Sequence, residues 1–277
     1  MATLARVRGR LYHKAVVFPQ EHGTWAFLLS PLIIGLAAGG RWTTETWLLV
    51  MGMLDAFFLR QPVVMLVKML SGRRPRTLLP AALFWTGVYG LLGVLIAAWF
   101  WRRGMAYLFW LLIPAVLVFV WHLVLVARRA ERGQMGVEIV ASGTLALAAP
   151  AALWVARGYA DPMGWWLWLL SWFQSAASIV YAYVRLEQRR WPEWPPLRDR
   201  LRAGWRALLY TTFNMLAVMV LGALQILSPF LWLAYAVQWV ETVYGVLRPA
   251  VGWRPTRIGL RQLVVSGLFT LVFVLTW

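Results

Sequence analysis

Nine apolar runs, each close to the length that crosses a lipid bilayer, constrain this chain more than any single motif. They cover 23–39, 46–69, 78–100, 105–127, 137–157, 163–184, 207–228, 230–247 and 258–277, and charges, glycines or prolines bound them. A hydrocarbon core requires roughly 20 apolar residues per helix. The first and eighth runs are short enough to call for local thinning or help from interfacial neighbours. Backbone amides in lipid must be satisfied within the segment, so runs of this length read as helices. Composition excludes the soluble alternative: 61% of the 277 residues are hydrophobic and 13% are charged, about half the charged share of a soluble domain. There is no cysteine, which removes disulfides, thiolate metal sites and cysteine nucleophiles together. No small-residue cleavage pattern follows the basic N-terminal stretch, so the first run reads as a retained span.

The formal charge of +17 is first a statement about topology. With the N-terminus in the cytoplasm, 22 of the 27 basic residues fall on the cytoplasmic side, four on the other, and Arg60 lies within the second run. An error of one span would invert this pattern downstream, so the bias selects an N-in, C-out orientation. The expectation is an all-α polytopic membrane protein, one domain over 1–277 with nine transmembrane helices. Residues 1–22 form a basic cytoplasmic segment, and 185–206 form the longest cytoplasmic loop, whose last part, Leu197 to Arg206, is expected as a short interfacial helix. Of the 20 tryptophans, Trp42, Trp99, Trp101, Trp165, Trp166, Trp232 and Trp277 cluster near the external run ends and Trp191, Trp194, Trp205 and Trp253 near cytoplasmic loops, where indole rings anchor at the membrane surface. No recognition motif or soluble domain points to nucleic acid.

Ionisable and amide side chains inside lipid must face the bundle interior or water. Glu21 and His22 enter the first span; Arg60 and Lys68 lie in the second. His122 approaches the end of the fourth, Glu138 begins the fifth, Arg185 follows the sixth, Asn214 is in the seventh and Glu241 is in the eighth. Gln174 and Gln238 lie deeper, and Asp55 is five positions from Arg60, a poor helical pairing distance. At these depths the groups fit a polar cavity open to the cytoplasm. Two readings stand for each: structural pairing, such as Glu138 or Glu241 with Arg60, and contact with a ligand or proton.

Several chemical signatures are missing. The three histidines, His13, His22 and His122, give no metal-binding spacing, and no phosphate-binding or dinucleotide glycine fingerprint occurs. Gly87, Gly90 and Gly93 sit inside the third span, and Ser142-Gly143-Thr144 inside the fifth, where close helix packing is the simpler role. No metal site and no cofactor are expected.

The segment Pro19-Gln20-Glu21-His22-Gly23-Thr24-Trp25-Ala26, with Pro31 and Gly35, resembles the YwiC-like family of bacterial integral membrane proteins. Arg60-Gln61-Pro62 with Lys68, Arg128 with Glu138, Tyr181-Ala182-Tyr183-Val184-Arg185, and Pro249 to Gly259 extend that resemblance along the chain. It implies a multi-pass protein of the bacterial cytoplasmic (inner) membrane. Gly23-Thr24-Trp25, Pro31, Gly35 and Arg60 are also similar to UbiA-type intramembrane prenyltransferases. That family holds magnesium and diphosphate with two aspartate-rich motifs. Here the matching regions, Arg60 to Lys68 and Tyr181 to Arg189, lack the aspartates, and Lys68, Arg185 and Arg189 would contact an anion directly.

The leading functional expectation is therefore a membrane protein that takes a lipophilic or isoprenoid-like, anionic ligand in a cytoplasm-facing cavity. Its ligand-binding candidates are Glu21, His22, Arg60, Lys68, His122, Glu138, Arg185, Asn214 and Glu241. Magnesium-dependent prenyl transfer, transport of a small molecule or lipid, and a structural role beside a membrane-protein partner are the alternatives, so enzymatic activity stays open. Membrane lipids are the expected partners, and no nucleic acid is.

Overall fold

The computed structural model describes residues 14–17, 22–131 and 133–277, without the side chains of Lys14, Ala15 and His22. The expectations placed on the basic segment 1–22, on Glu21 and on the His22 side chain lie outside the described residues. Eleven α-helices are described: α1 (Lys14–Val17), α2 (His22–Gly39), α3 (Thr44–Leu70), α4 (Leu79–Arg102), α5 (Phe109–Ala127), α6 (Met135–Leu145), α7 (Ala148–Arg157), α8 (Met163–Gln188), α9 (Leu197–Ala223), α10 (Trp232–Leu247) and α11 (Pro255–Thr276). No strand is found among the described residues.

Counting α6 and α7 as one interrupted rod, nine rods match the nine apolar runs. Seven are long and apolar enough to cross a membrane, while Gly23–Gly39 is apolar but shorter and α10 has 16 residues. The chain is thus a multi-pass helical membrane protein. At 1.5 Å per residue, the 27 residues of α3 extend about 40 Å, longer than the hydrocarbon layer, so its ends reach into the interfaces. Its N-terminus is fixed by Thr43 and Thr46, each of whose hydroxyls accepts the other's backbone N–H at 3.3 Å, which satisfies donors a helix start otherwise leaves open.

The interruption of the fifth rod has a local cause. Pro150 has no N–H to give to the Ala146 carbonyl and its ring crowds that carbonyl. The Ala149 amide takes it instead at 3.1 Å, and the helix breaks between Leu145 and Ala148. An irregular backbone at membrane depth is tolerated where protein covers it. Here every residue from Ala148 to Ala156 is buried. Gly35 of α2 packs directly on the Ala149 backbone, so that a Cβ there would overlap the Ala149 carbonyl; Gly143 lies against the Trp172 indole, 2.8 Å from where its Cβ would be. Small residues bring these helices together because apolar burial gains nothing against lipid tails.

α8 is the hub, packed against α2, α6, α7, α9, α10 and α11. Several polar side chains inside the bundle are paired with each other or with backbone. Gln174 donates to Gln238 at 3.1 Å, Tyr235 to the Leu170 carbonyl at 2.9 Å, and Ser30 meets Thr270 at 2.5 Å. Tryptophans join them: Trp168 and Trp172 donate to the carbonyls of Gly143 and Ile139 at 2.9 and 2.8 Å. By contrast α4 and α5 turn Leu91, Val94, Leu112 and Leu117 outward, as a lipid-facing surface does.

One boundary differs from expectation. α8 continues to Gln188 and α9 begins at Leu197, so the stretch expected as a loop over 185–206 reduces to 189–196. Leu197 to Arg206 is the first part of a 27-residue helix rather than a separate interfacial one. Pro192, Pro195 and Pro196 interrupt the helix ahead of it; beyond them Arg198, Arg200 and Arg202 are ordinary helix formers, and nothing stops the helix before the span.

Candidate functional site

The ends of the rods that carry most of the arginines come together, and the densest side-chain chemistry lies where α8, α10 and the start of α11 meet. Tyr181, Arg185 and Gln188 are spaced by four and three residues, which places them on one face of α8. Glu241 and Gly245 on α10, with Arg248 just past its end, repeat that spacing. Arg185 is 1% exposed. Its Nη1 reaches Gln188 Oε1 at 2.9 Å and the carbonyls of Gly245 and Arg248 at 2.7 and 2.8 Å. The Gly245 carbonyl belongs to the last turn of α10 and that of Arg248 to its cap, where helix acceptors are otherwise open and the dipole favours a cation. Gln188 completes the joint, donating to Gly245 O at 3.2 Å and accepting from the Ala250 amide at 3.3 Å. Arg185 Nη2 is buried with no hydrogen-bond partner.

Beside it, Glu241 is held from two sides. Arg261 of α11 binds it with both branches of the guanidinium, Nε to Oε1 at 2.6 Å and Nη2 to Oε2 at 2.7 Å. Tyr181 donates to Oε1 at 2.8 Å. A two-pronged charge-assisted pair of this kind is among the stronger polar contacts in proteins. Gly245 makes room for it, since a Cβ there would strike the Tyr181 hydroxyl.

Trp253, in the turn between α10 and α11, lies between this buried network and the surface. Its ring sits 4.9 Å from the Arg185 guanidinium carbon and 4.0 Å from that of Arg257, within cation–π range for both. Arg189 ties the turn down through the Trp253 carbonyl at 3.3 Å. Two adjoining open grooves flank the indole. One, of about 460 Å³, is lined by Trp253, Arg254, Thr256 and Arg257; the other, of about 450 Å³, runs past Arg257 and Arg261 to Leu260, Val264 and Leu268.

The remaining candidates occupy other places. Lys68 is 3.9 Å from Glu131, which Arg73 binds at 2.9 Å. Burial pushes the Glu131 carboxyl up, but backbone hydrogen bonding, Arg73 and Lys68 hold it below the usual carboxylate range. Glu138 is exposed and accepts from Tyr183 at 2.8 Å. Asn214 is buried and donates to the Phe173 carbonyl of α8 at 2.8 Å. Arg60 and His122 are half-buried on α3 and α5. The structure therefore joins Arg185 to Glu241 in one cluster and places Lys68 and Glu138 in others. Sequence reasoning had not singled out Arg261, Trp253, Tyr181, Arg73 or Glu131 as site residues. The spacing Trp253, Arg257, Arg261 carried a signal, one indole and two cations at four-residue steps. Among the described residues no three His, Asp or Glu side chains are grouped to hold a metal ion.

An all-helical bundle with seven apolar rods long enough to cross a membrane is a polytopic membrane protein. Residues 18–153, just under half of the chain, match the family described as YwiC-like protein. No match was found among curated proteins or among solved structures.

Proposed function

We propose that this protein, whose first half matches the YwiC-like family, binds an amphipathic anion, a lipid-type molecule with a phosphate or comparable head group, at the turn between α10 and α11. The observation that carries the reading is the change of wall chemistry along the two grooves. Their upper part presents Arg254 and Arg257 around Trp253, and their lower part presents Leu260, Val264 and Leu268. A head group would meet guanidinium donors and an indole face. An acyl or isoprenoid chain would follow the aliphatic wall into the bilayer without leaving apolar surroundings. Arg261 is already committed to Glu241, so it shapes the wall, and Arg254 and Arg257 supply the free charge. Capture is direct, through arginine rather than a bridging cation. The positive-inside bias turns this end toward the cytoplasm of a bacterial cell, which makes the site a reader of the inner leaflet.

The test is native mass spectrometry of the protein in gentle detergent with phosphatidylglycerol, a polyprenyl phosphate and phosphatidylcholine offered in competition. Wild-type protein retains the anionic molecules preferentially. Arg254→Ala combined with Arg257→Ala lowers that retention by about tenfold, the effect of roughly 1.4 kcal/mol, without changing the melting temperature. Equal retention of all three lipids, or unchanged retention by a stably folded double variant, overturns the reading.

A further inference from the structure

Among the described residues the acids Asp55, Glu131, Asp161 and Glu241 have side chains largely out of water; Glu131 is paired with Arg73. Asp161 is paired with Arg157 and Glu241 with Arg261. Asp55 has no such partner. It is 5% exposed, and its Oδ1 is enclosed without any hydrogen bond. Eleven residues of α3 precede it, so it lies about 16 Å into the helix, near the middle of the hydrocarbon layer.

The facing helix is built to leave this carboxyl space. α3 and α4 run antiparallel in a register that sets Gly52 against Ile96, Asp55 against Gly93 and Phe58 against Tyr89. A Cβ on Gly93 would come 3.1 Å from Asp55 Oδ2. One turn further along α4 the Tyr89 ring stacks on Phe58 at 6.0 Å, and its hydroxyl donates to the Val17 carbonyl of α1 at 3.5 Å. Two turns along, Thr86 Oγ1 is buried and also without a partner. Asp55, Tyr89 and Thr86 thus form a line of polar groups from mid-membrane toward the arginine-rich end.

Among the described residues no ion pair forms to Asp55. On α3 the nearest cation is Arg60, five positions on and off the Asp55 face. α4 offers Tyr89 there, and the described side chains of α1, Val16 and Val17, are apolar, with the Val17 carbonyl taken by Tyr89. α5 carries His122 toward the arginine-rich end, and the one charged group of α7, Arg157, is held by Asp161 at the far end. An isolated carboxylate in such surroundings is strongly disfavoured, and an intramembrane acid of this kind is typical of a proton relay.

We propose that Asp55 is a proton-binding site at mid-membrane, loaded and emptied from the arginine-rich end past Tyr89 and Thr86. The ligand is the proton itself, and the site is separate from the groove at Trp253, so either reading can fail alone. The probe is dicyclohexylcarbodiimide, a lipid-soluble reagent that modifies protonated carboxyls in apolar surroundings, applied to the full-length protein in proteoliposomes. Peptide mapping is expected to place the adduct on Asp55, with yield falling about tenfold per pH unit above the titration midpoint. Asp55→Asn abolishes the adduct. An unlabelled Asp55, or a yield that does not change with pH, overturns the site; both are read on wild-type protein, so a variant that fails to fold does not obstruct the test. Tyr89→Phe keeps the adduct but slows proton release after a pH jump by roughly tenfold, and an unchanged rate overturns the route.

Discussion

Glu241 near the end of α10 and Asp55 midway along α3 are both acids taken out of water, and the chain holds them in opposite ways. Around Glu241 it places a bidentate arginine and a tyrosine hydroxyl; around Asp55 it places a glycine and an enclosed void of partners. The difference follows depth. At the rod ends, long arginine side chains reach both an acid and the interface, so a charged network is sustainable. At mid-membrane a second charge would itself need solvation, and the remaining solution is an acid that keeps its proton.

The contrast is broken most directly at Glu241. Glu241→Ala leaves Arg261 and Tyr181 without their acceptor and is expected to lower stability by about 2–3 kcal/mol, less than for a wholly buried pair because Arg261 is partly exposed. Unfolding of the purified protein in detergent measures it; a loss below about 0.5 kcal/mol would put Glu241 in the same class as Asp55.

Asp161 tests the intermediate case, a paired acid in the turn between α7 and α8. Burial pushes its carboxyl up, yet the Met163 amide, Arg157 and Tyr159 together hold it below the usual aspartate range. A depressed folded value means that its stabilisation is present above the ordinary aspartate range and fades as pH falls through the lower folded value. Asp161→Asn is expected to cost about 1–2 kcal/mol at neutral pH. The difference from wild type closes on acidification, and a difference independent of pH removes the ionic part of the account.

Asp55→Asn should have the smallest effect, within about 1 kcal/mol of wild type in either direction, because it exchanges a neutral acid for a neutral amide of the same shape. A loss as large as that of Glu241→Ala would mean that Asp55 has a charged partner and would end the comparison.

The nine rods were legible because lipid leaves a long unbroken signal, and the arginine count tested each crossing. The break in the fifth rod was not, although Pro150 sat in plain view, since proline in a membrane helix kinks or breaks it according to its neighbours. Arg185 and Glu241 were legible as ionisable groups at membrane depth, but their surroundings come from three different helices and a turn. Arg261, the partner of Glu241, lies in a stretch that read as one more topological charge. Asp55 was weighed only against Arg60 on its own helix, whereas its environment is set by Gly93, across the bundle.

The hydrogen bond between Ser30 and Thr270 joins groups 240 residues apart, and α2 packs mainly on α7, α8 and α11. At a synthesis rate of about 5–20 residues per second, roughly 12–48 s separate the emergence of these partners. During that interval α2 has left the ribosome while the helix that accepts its serine does not yet exist. Biogenesis of this protein therefore requires a place for an early helix to wait, in the bilayer or beside the insertion machinery, before the last span closes the bundle.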